Sequence, residues 1–111
     1  MMKNLLVVIF LLVVVIFPGY VESAEIFIPG DYPSIQQGID AAMTGDTVLV
    51  SAGIYSGPGN TDLLIHNKSI TLQSVHGVEA CMIDCTGASN ALTVTGSGTS
   101  SIREFTLSNC N

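Results

Sequence analysis

Basic side chains are nearly absent from this chain. It has three, Lys3, Lys68 and Arg103, against nine acids. A binder of nucleic acid needs a basic footprint, and an anionic membrane surface attracts one, so neither partner class is expected. No CxxC pair and no Cys/His zinc spacing occurs, which leaves no metal motif. The longest apolar run, 5–17, is thirteen residues. That is short of the roughly 18 needed for a membrane span. No nucleophile–base pair and no paired carboxylates fall at a spacing that builds an active centre, so neither catalysis nor a cofactor is expected from these residues.

What is present at the start has the layout of a secretory signal peptide. Lys3 precedes the apolar run, Pro18-Gly19 break it, and Val21-Glu22-Ser23-Ala24 follow with small residues. Cleavage after Ser23 puts Val21 three places before the cut. Cleavage after Ala24 puts the charged Glu22 there, which is less favourable. An uncleaved leader acting as an anchor is the alternative. The expected division is therefore 1–24 as signal peptide, 25–45 as a first strand and capping helix, and 46–111 as strand coils. Secretion to the extracellular side follows, or to the periplasm or cell surface in a bacterium. Residues 25–111 carry eight acids and two bases, a net charge of −6. They fit one small domain. Their three cysteines, Cys81, Cys85 and Cys110, leave at least one thiol free or paired elsewhere.

The organising stretch is Asp46 to Tyr55, DTVLVSAGIY. An apolar strand turns at Ser51-Ala52-Gly53 and resumes at Ile54-Tyr55. Val48-Leu49-Val50, Ile70-Thr71-Leu72 and Leu92-Thr93-Val94 are each 22 residues apart. A fixed spacing predicts a repeat whose units stack to bury what each cannot bury alone. Ile70, Leu72, Leu92 and Val94 fall on one side of the alternation, Thr71 and Thr93 on the other, as period two requires. Further strands are expected at 25–29, 63–65, 69–74, 81–85 and 91–95, with 102–109 closing the chain. Before the repeat, Ile35, Ile39, Ala42 and Met43 form one helical stripe over Ser34 to Met43. Pro33 suits its first turn, and Gly45 offers a left-handed stop. A lone amphipathic helix before a strand solenoid would cover its first open edge.

The run IPGDYPSIQQGIDAAMTGDTVLVSAGIY, followed by IHNKSITLQS, MIDCTG and IREFTLSN, resembles the N-terminal portion of right-handed parallel β-helix proteins of the pectin-lyase-like superfamily. The resemblance covers about residues 26 to 109. It implies an all-β fold, a right-handed parallel β-helix of about three coils with an N-terminal capping helix. It marks Gly45, Asp46, Gly53 and Lys68 as structural positions of the GDTVLV…GIY and KSITL blocks. Glu104 departs from the family pattern, which has Gly there, and Cys110 replaces the Gly of a closing Asn-Gly. Relatives carry many more coils, so the chain reads as an N-terminal fragment, a truncated product, or a short protein whose open C-terminal edge pairs with further coils or another chain.

Enzymes of that superfamily use clustered carboxylates with Arg, Lys or calcium, normally on later coils. Asp46, Asp62 and Asp84 are expected to serve turns. His66, His76 and Arg103 read as surface residues. Asn67-Lys68-Ser69 is a formal N-glycosylation acceptor. Stacking Ile83 on Leu107 leaves Cys85 and Cys110 one position out of line, so a disulfide between coils is within reach without being required. Cys81 alternates toward the interior as a small hydrophobe. Three functions remain open. The first is a secreted non-catalytic module that meets carbohydrate or a cell surface. The second is the start of a polysaccharide lyase, hydrolase or esterase whose active residues lie beyond Asn111. The third, weaker reading is a periplasmic β-helix associated with copper-site assembly.

Overall fold

The structure, a computed structural model, describes residues 23–110. The expected leader falls outside the described residues except for Ser23 and Ala24. Strand β1 (Glu25–Ile28) is followed by the one described helix, α1 (Ile35–Ala41). The first full coil is β2 (Thr47–Val50), β3 (Gly53–Ser56) and β4 (Leu63–His66). The second is β5 (Thr71–Ser74), β6 (Cys81–Asp84) and β7 (Leu92–Thr95). A third begins with β8 (Ser101–Arg103) and β9 (Thr106–Ser108). All pairings are parallel, in the orders β1-β2-β5-β8, β3-β6-β9 and β4-β7. The chain is thus a parallel β-solenoid of about three turns.

Alternation of side chains decides what lies inside. Val48, Val50, Leu63, Ile65, Leu72, Cys81 and Ile83 are buried, while Thr47, Leu49, Thr71 and Gln73 face outward between them. The register stacks Ile26, Val48, Leu72 and Ile102 in one apolar ladder. Ile65 on Val94 and Ile83 on Leu107 form two more. Neighbouring coils lie roughly 4.8 Å apart, so each rung covers the one before it.

The register corrects the expected repeat. Val48 lies beside Leu72, a step of 24 residues, and Leu72 beside Ile102, a step of 30. Leu92-Thr93-Val94 stacks on Leu63-Leu64-Ile65 and not on Ile70-Thr71-Leu72. Unequal corners cause the difference. Ser51-Ala52 suffices between β2 and β3, whereas Val75 to Ala80 spans β5 to β6. A 22-residue step does occur, between β1 and β2.

Helix α1 is shorter than its stripe. Ser34 is the N-cap, and its hydroxyl accepts from Gln37 N–H. The helix stops at Ala42, whose extended backbone (ψ 140) ends the turn. Gly45 therefore does not cap it. Gly45 lies in the Thr44-Gly45 turn at φ 99, and its N–H donates to Ser69 O at 2.8 Å. Ile35, Ile39 and Ala42 enter the core as the stripe requires, but Met43 is 70% exposed. The cost of Gly38 in a helix has a packing reason. A Cβ there would stand 2.7 Å from Ile28 Cδ1, so only glycine lets α1 lie this close to β1. The helix packs against β1, β2 and β4, at the β1 end of the solenoid.

Glu104 sits between β8 and β9 at φ 63. The left-handed region costs a side chain about 1–2 kcal/mol, and unlike Asn or Asp, Glu has no short polar group to offset it. The departure at Glu104 therefore keeps the turn and strains it. Glu104→Gly should raise the unfolding free energy by about 1 kcal/mol, measured by urea titration. Ile39→Asp should lose the cooperative transition, because an uncompensated charge in the core costs several kcal/mol against a total of about 5–15. Unchanged melting by circular dichroism would refute the role of α1.

Candidate functional site

The polar groups gather at two corners of the solenoid. The first lies where β1, α1 and β2 meet. Asp46 immediately follows the Thr44-Gly45 turn, so its side chain is delivered back toward the end of the helix. It is buried at 7% exposure. Oδ1 accepts from Ala24 N–H at 2.8 Å and Oδ2 from Met43 N–H at 2.9 Å. These two backbone donors, Ala24 first, hold the carboxyl below its usual range despite the opposing effect of burial.

Lys68 reaches this corner from the turn between β4 and β5. Its Nζ donates to Ile39 O and Ala42 O, both at 2.9 Å. The last carbonyls of a helix lack intrahelical partners and carry partial negative charge, so an ammonium suits them. Lys68 ties the helix to the next coil. Gly53, at φ 151, opens β3 and donates its N–H to Ala80 O in the following coil at 2.8 Å. Gly45, Asp46, Gly53 and Lys68 each bond across segments.

A third contact at this end had no signal in the sequence. The Gln36 carboxamide pairs with the outer edge of β4. Leu64 N–H donates to Gln36 Oε1 at 2.8 Å, and Gln36 Nε2 donates to Leu64 O at 3.0 Å. A side-chain amide here takes the place of a neighbouring strand. Gln36 lies between the residues of the apolar stripe, and nothing in the local pattern separates it from Gln37.

The second corner is an open groove of about 460 Å³, lined by Gly57 to Gly59, Thr61 and Asp62 on one coil and Thr86 to Ala88 on the next. Both carboxylates near it are occupied by turns. Asp62, itself at φ 51, accepts from Asn90 N–H at 2.8 Å. Asp84 Oδ1 accepts from Thr86 Oγ1 at 2.7 Å, Thr86 N–H at 3.0 Å and Asn109 Nδ2 at 3.0 Å. The Asn109 amide, then Thr86, holds the Asp84 carboxyl below its usual range. A carboxylate so engaged is a poor proton acceptor at neutral pH. The three acids stand at separate strand ends, and no group of three His, Cys, Asp or Glu able to hold a metal occurs among the described residues.

His66 accepts from Asn67 Nδ2 at Nε2, so Nδ1 carries the proton and donates to Thr95 Oγ1 at 2.9 Å. Asn67 Oδ1 also accepts from Ser97 N–H, so the side chain of the formal glycosylation acceptor is bound to the coil below. His76 is exposed at the bend after β5. Arg103 is exposed, with its Nε donating to Ser101 Oγ at 3.1 Å. Cys85 and Cys110 are joined by a disulfide, their Cα atoms 4.9 Å apart. Cys81 is free and buried. Burial pushes its thiol up, against a smaller opposing hydrogen bond with Ser74, so it stays protonated and unreactive at neutral pH. Burial, with Cys81 adding to it, also pushes up the Tyr55 phenol, whose hydroxyl donates to Ser51 O at 2.9 Å.

Comparison of the chain with protein-family models, with curated proteins and with solved structures found no match. No described helix is long and apolar enough to cross a membrane.

The two lowered carboxyls set an acid limit. A carboxyl whose folded pKa lies below its unfolded value of about 3.9 contributes stability above that value and loses it as pH falls through the folded pKa. Unfolding free energy should therefore decline on acidification below about pH 4. In Asp84→Asn the decline should be shallower. An identical pH slope in the variant would show that the Thr86 and Asn109 bonds do not favour the charged form.

Proposed function

We propose that this chain is the capped start of a secreted, non-catalytic right-handed parallel β-helix that presents a strand face to carbohydrate or a cell surface. The observation that carries this reading is the unequal treatment of the two ends. At the β1 end, β1 covers the edge of β2, Gln36 covers that of β4, and Ile35 and Ile39 are buried, while β3 pairs only with β6 among the described strands. At the other end the last rung of each ladder is open: Ile102 is 41% exposed, Val94 44% and Leu107 56%. These side chains point along directions that are buried one coil earlier, at Leu72, Ile65 and Ile83. A face of this kind is complementary to one more strand layer, supplied by further coils or by another chain.

The outer face supports the ligand class. Thr47, Thr71 and Ser101 stand in one row across β2, β5 and β8. Short hydroxyl side chains suit hydroxyl-rich ligands, and the same face carries Glu25 before Thr47 and Arg103 beside Gln73. The leader motif supports export. No carboxylate pair free for acid–base work supports a catalytic reading of these coils, since Asp62 and Asp84 are engaged by turn donors.

Self-association of the exported chain tests the open end. The protein should associate in a concentration-dependent way by light scattering, and Ile102→Lys with Leu107→Lys should suppress the association while leaving the circular dichroism spectrum unchanged. A protein that stays monomeric at high micromolar concentration, with or without the substitutions, would remove the open-end reading.

A further inference from the structure

Ala24 is the first residue that the solenoid holds by its backbone. Its carbonyl accepts from Thr47 N–H at 3.0 Å, and its N–H donates to Asp46 Oδ1 at 2.8 Å. Ser23, one residue earlier, is exposed. The Asp46 carboxylate is buried at the corner and is tied on its other oxygen to Met43 N–H. Lys68, the basic side chain at this corner, is directed to the carbonyls of Ile39 and Ala42. Oδ1 of a buried carboxylate is thus aimed at one backbone nitrogen.

That nitrogen is also where the leader motif ends. Cutting after Ser23 puts Val21 and Ser23, both uncharged and small enough, at the two positions that a leader peptidase reads. Cutting one residue later would put Glu22 at the outer of these positions and would remove both backbone bonds of Ala24. The motif and the hydrogen bonds are independent observations: the motif places the cut after Ser23, and the hydrogen bonds are lost by any cut after Ala24.

We propose that the Ser23–Ala24 bond is hydrolysed during export and that Asp46 clamps the α-ammonium so released. The inference rests on the exported reading above. Water is the only reagent, and a leader peptidase is the catalyst. The water oxygen bonds to the Ser23 carbonyl carbon, the C–N bond breaks, the leader departs with a Ser23 carboxylate, and the Ala24 nitrogen takes up protons to become an ammonium. A neutral N–H···carboxylate bond becomes an ion pair in the same place. Charge-assisted bonds are roughly twice as strong as neutral ones. Processing therefore completes the corner where β1, α1 and β2 meet, and an extra residue in front of Ala24 leaves it incomplete. The low carboxyl of Asp46 is consistent with this role, since the clamp needs it charged.

The experiment exports the full chain from a secretory host and takes the intact mass and N-terminal sequence of the product. The expected start is Ala24. The purified protein is then treated with an amine acetylating reagent, and labelling is mapped by peptide mass. Lys68 is the only lysine after residue 24 and serves as the internal reference. An ammonium held by a carboxylate resists losing its proton, and one pKa unit is a factor of ten in free amine. Labelling of Ala24 should therefore be about tenfold slower in the wild type than in Asp46→Asn. Acetylation of wild-type Ala24 should also lower the melting temperature by several degrees, and this arm decides should the variant not fold. A product that starts at another residue overturns the proposal. So does an Ala24 amine that labels equally fast in both proteins, or acetylation that leaves the melting temperature unchanged. Retention of an intact leader overturns the exported reading as well, whereas a start at Ala24 with a freely reactive amine overturns the clamp alone.

Discussion

An unpaired strand edge is the constraint that this structure is built around. Each coil of a parallel solenoid satisfies its backbone donors and acceptors on the coils above and below, so the first coil has a row of groups with no partner. Here that row is met piecemeal. β1 pairs with β2 along its length, and the Gln36 amide pairs with Leu64 in β4. The helix that brings Gln36 into place must itself be held, since seven residues are too few for a stable isolated helix. Burial of Ile35 and Ile39 holds one face, Ser34 satisfies its start, and Lys68 satisfies its end from the next coil. Gly38 is what allows the approach to Ile28 on which this depends.

The corners are governed by a different requirement. A chain that turns sharply between strands needs residues in the left-handed region, and Asn67, Asp62, Asn109 and Glu104 occupy it. The first three have short polar side chains that can bond locally. Two of them also bond the coil beneath: Asp62 accepts from Asn90 N–H, and Asn67 accepts from Ser97 N–H. Turn chemistry and stacking are thus one device in this fold, because the group that permits the turn also fixes the next turn over it. Asn109 extends the same pattern through Asp84, beside the Cys85–Cys110 bridge between β6 and the segment after β9.

This explains which parts of the fold were legible. Period-two alternation marked nearly every strand, and the helical stripe marked α1, because burial acts on local pattern. The register was not legible. Short apolar triplets such as Ile70-Thr71-Leu72 and Leu92-Thr93-Val94 are interchangeable in composition, and the choice between them is made by corner length and by side chains that bond across coils. The 22-residue spacing was a coincidence: Val48-Leu49-Val50 and Ile70-Thr71-Leu72 are neighbours in one sheet but two residues out of step, and Leu92-Thr93-Val94 lies in another sheet. The same limit applies to the polar sites. Asp46 and Lys68 could be read as structural from their turns, but their partners, Ala24 and the carbonyls of α1, lie 22 and up to 29 residues away and had no signal in the sequence. Gln36 had none at all.

In this chain Asp46, Asp62, Asp84 and His66 are each engaged by donors or acceptors from the turn they occupy or the coil they touch. Their chemistry is used to close corners. Val94, Ile102 and Leu107, each at least 41% exposed, continue three interior ladders. The same edge constraint placed α1: β1 and Gln36 meet two of the three strand edges at the β1 end, and β3 pairs only with β6 among the described strands.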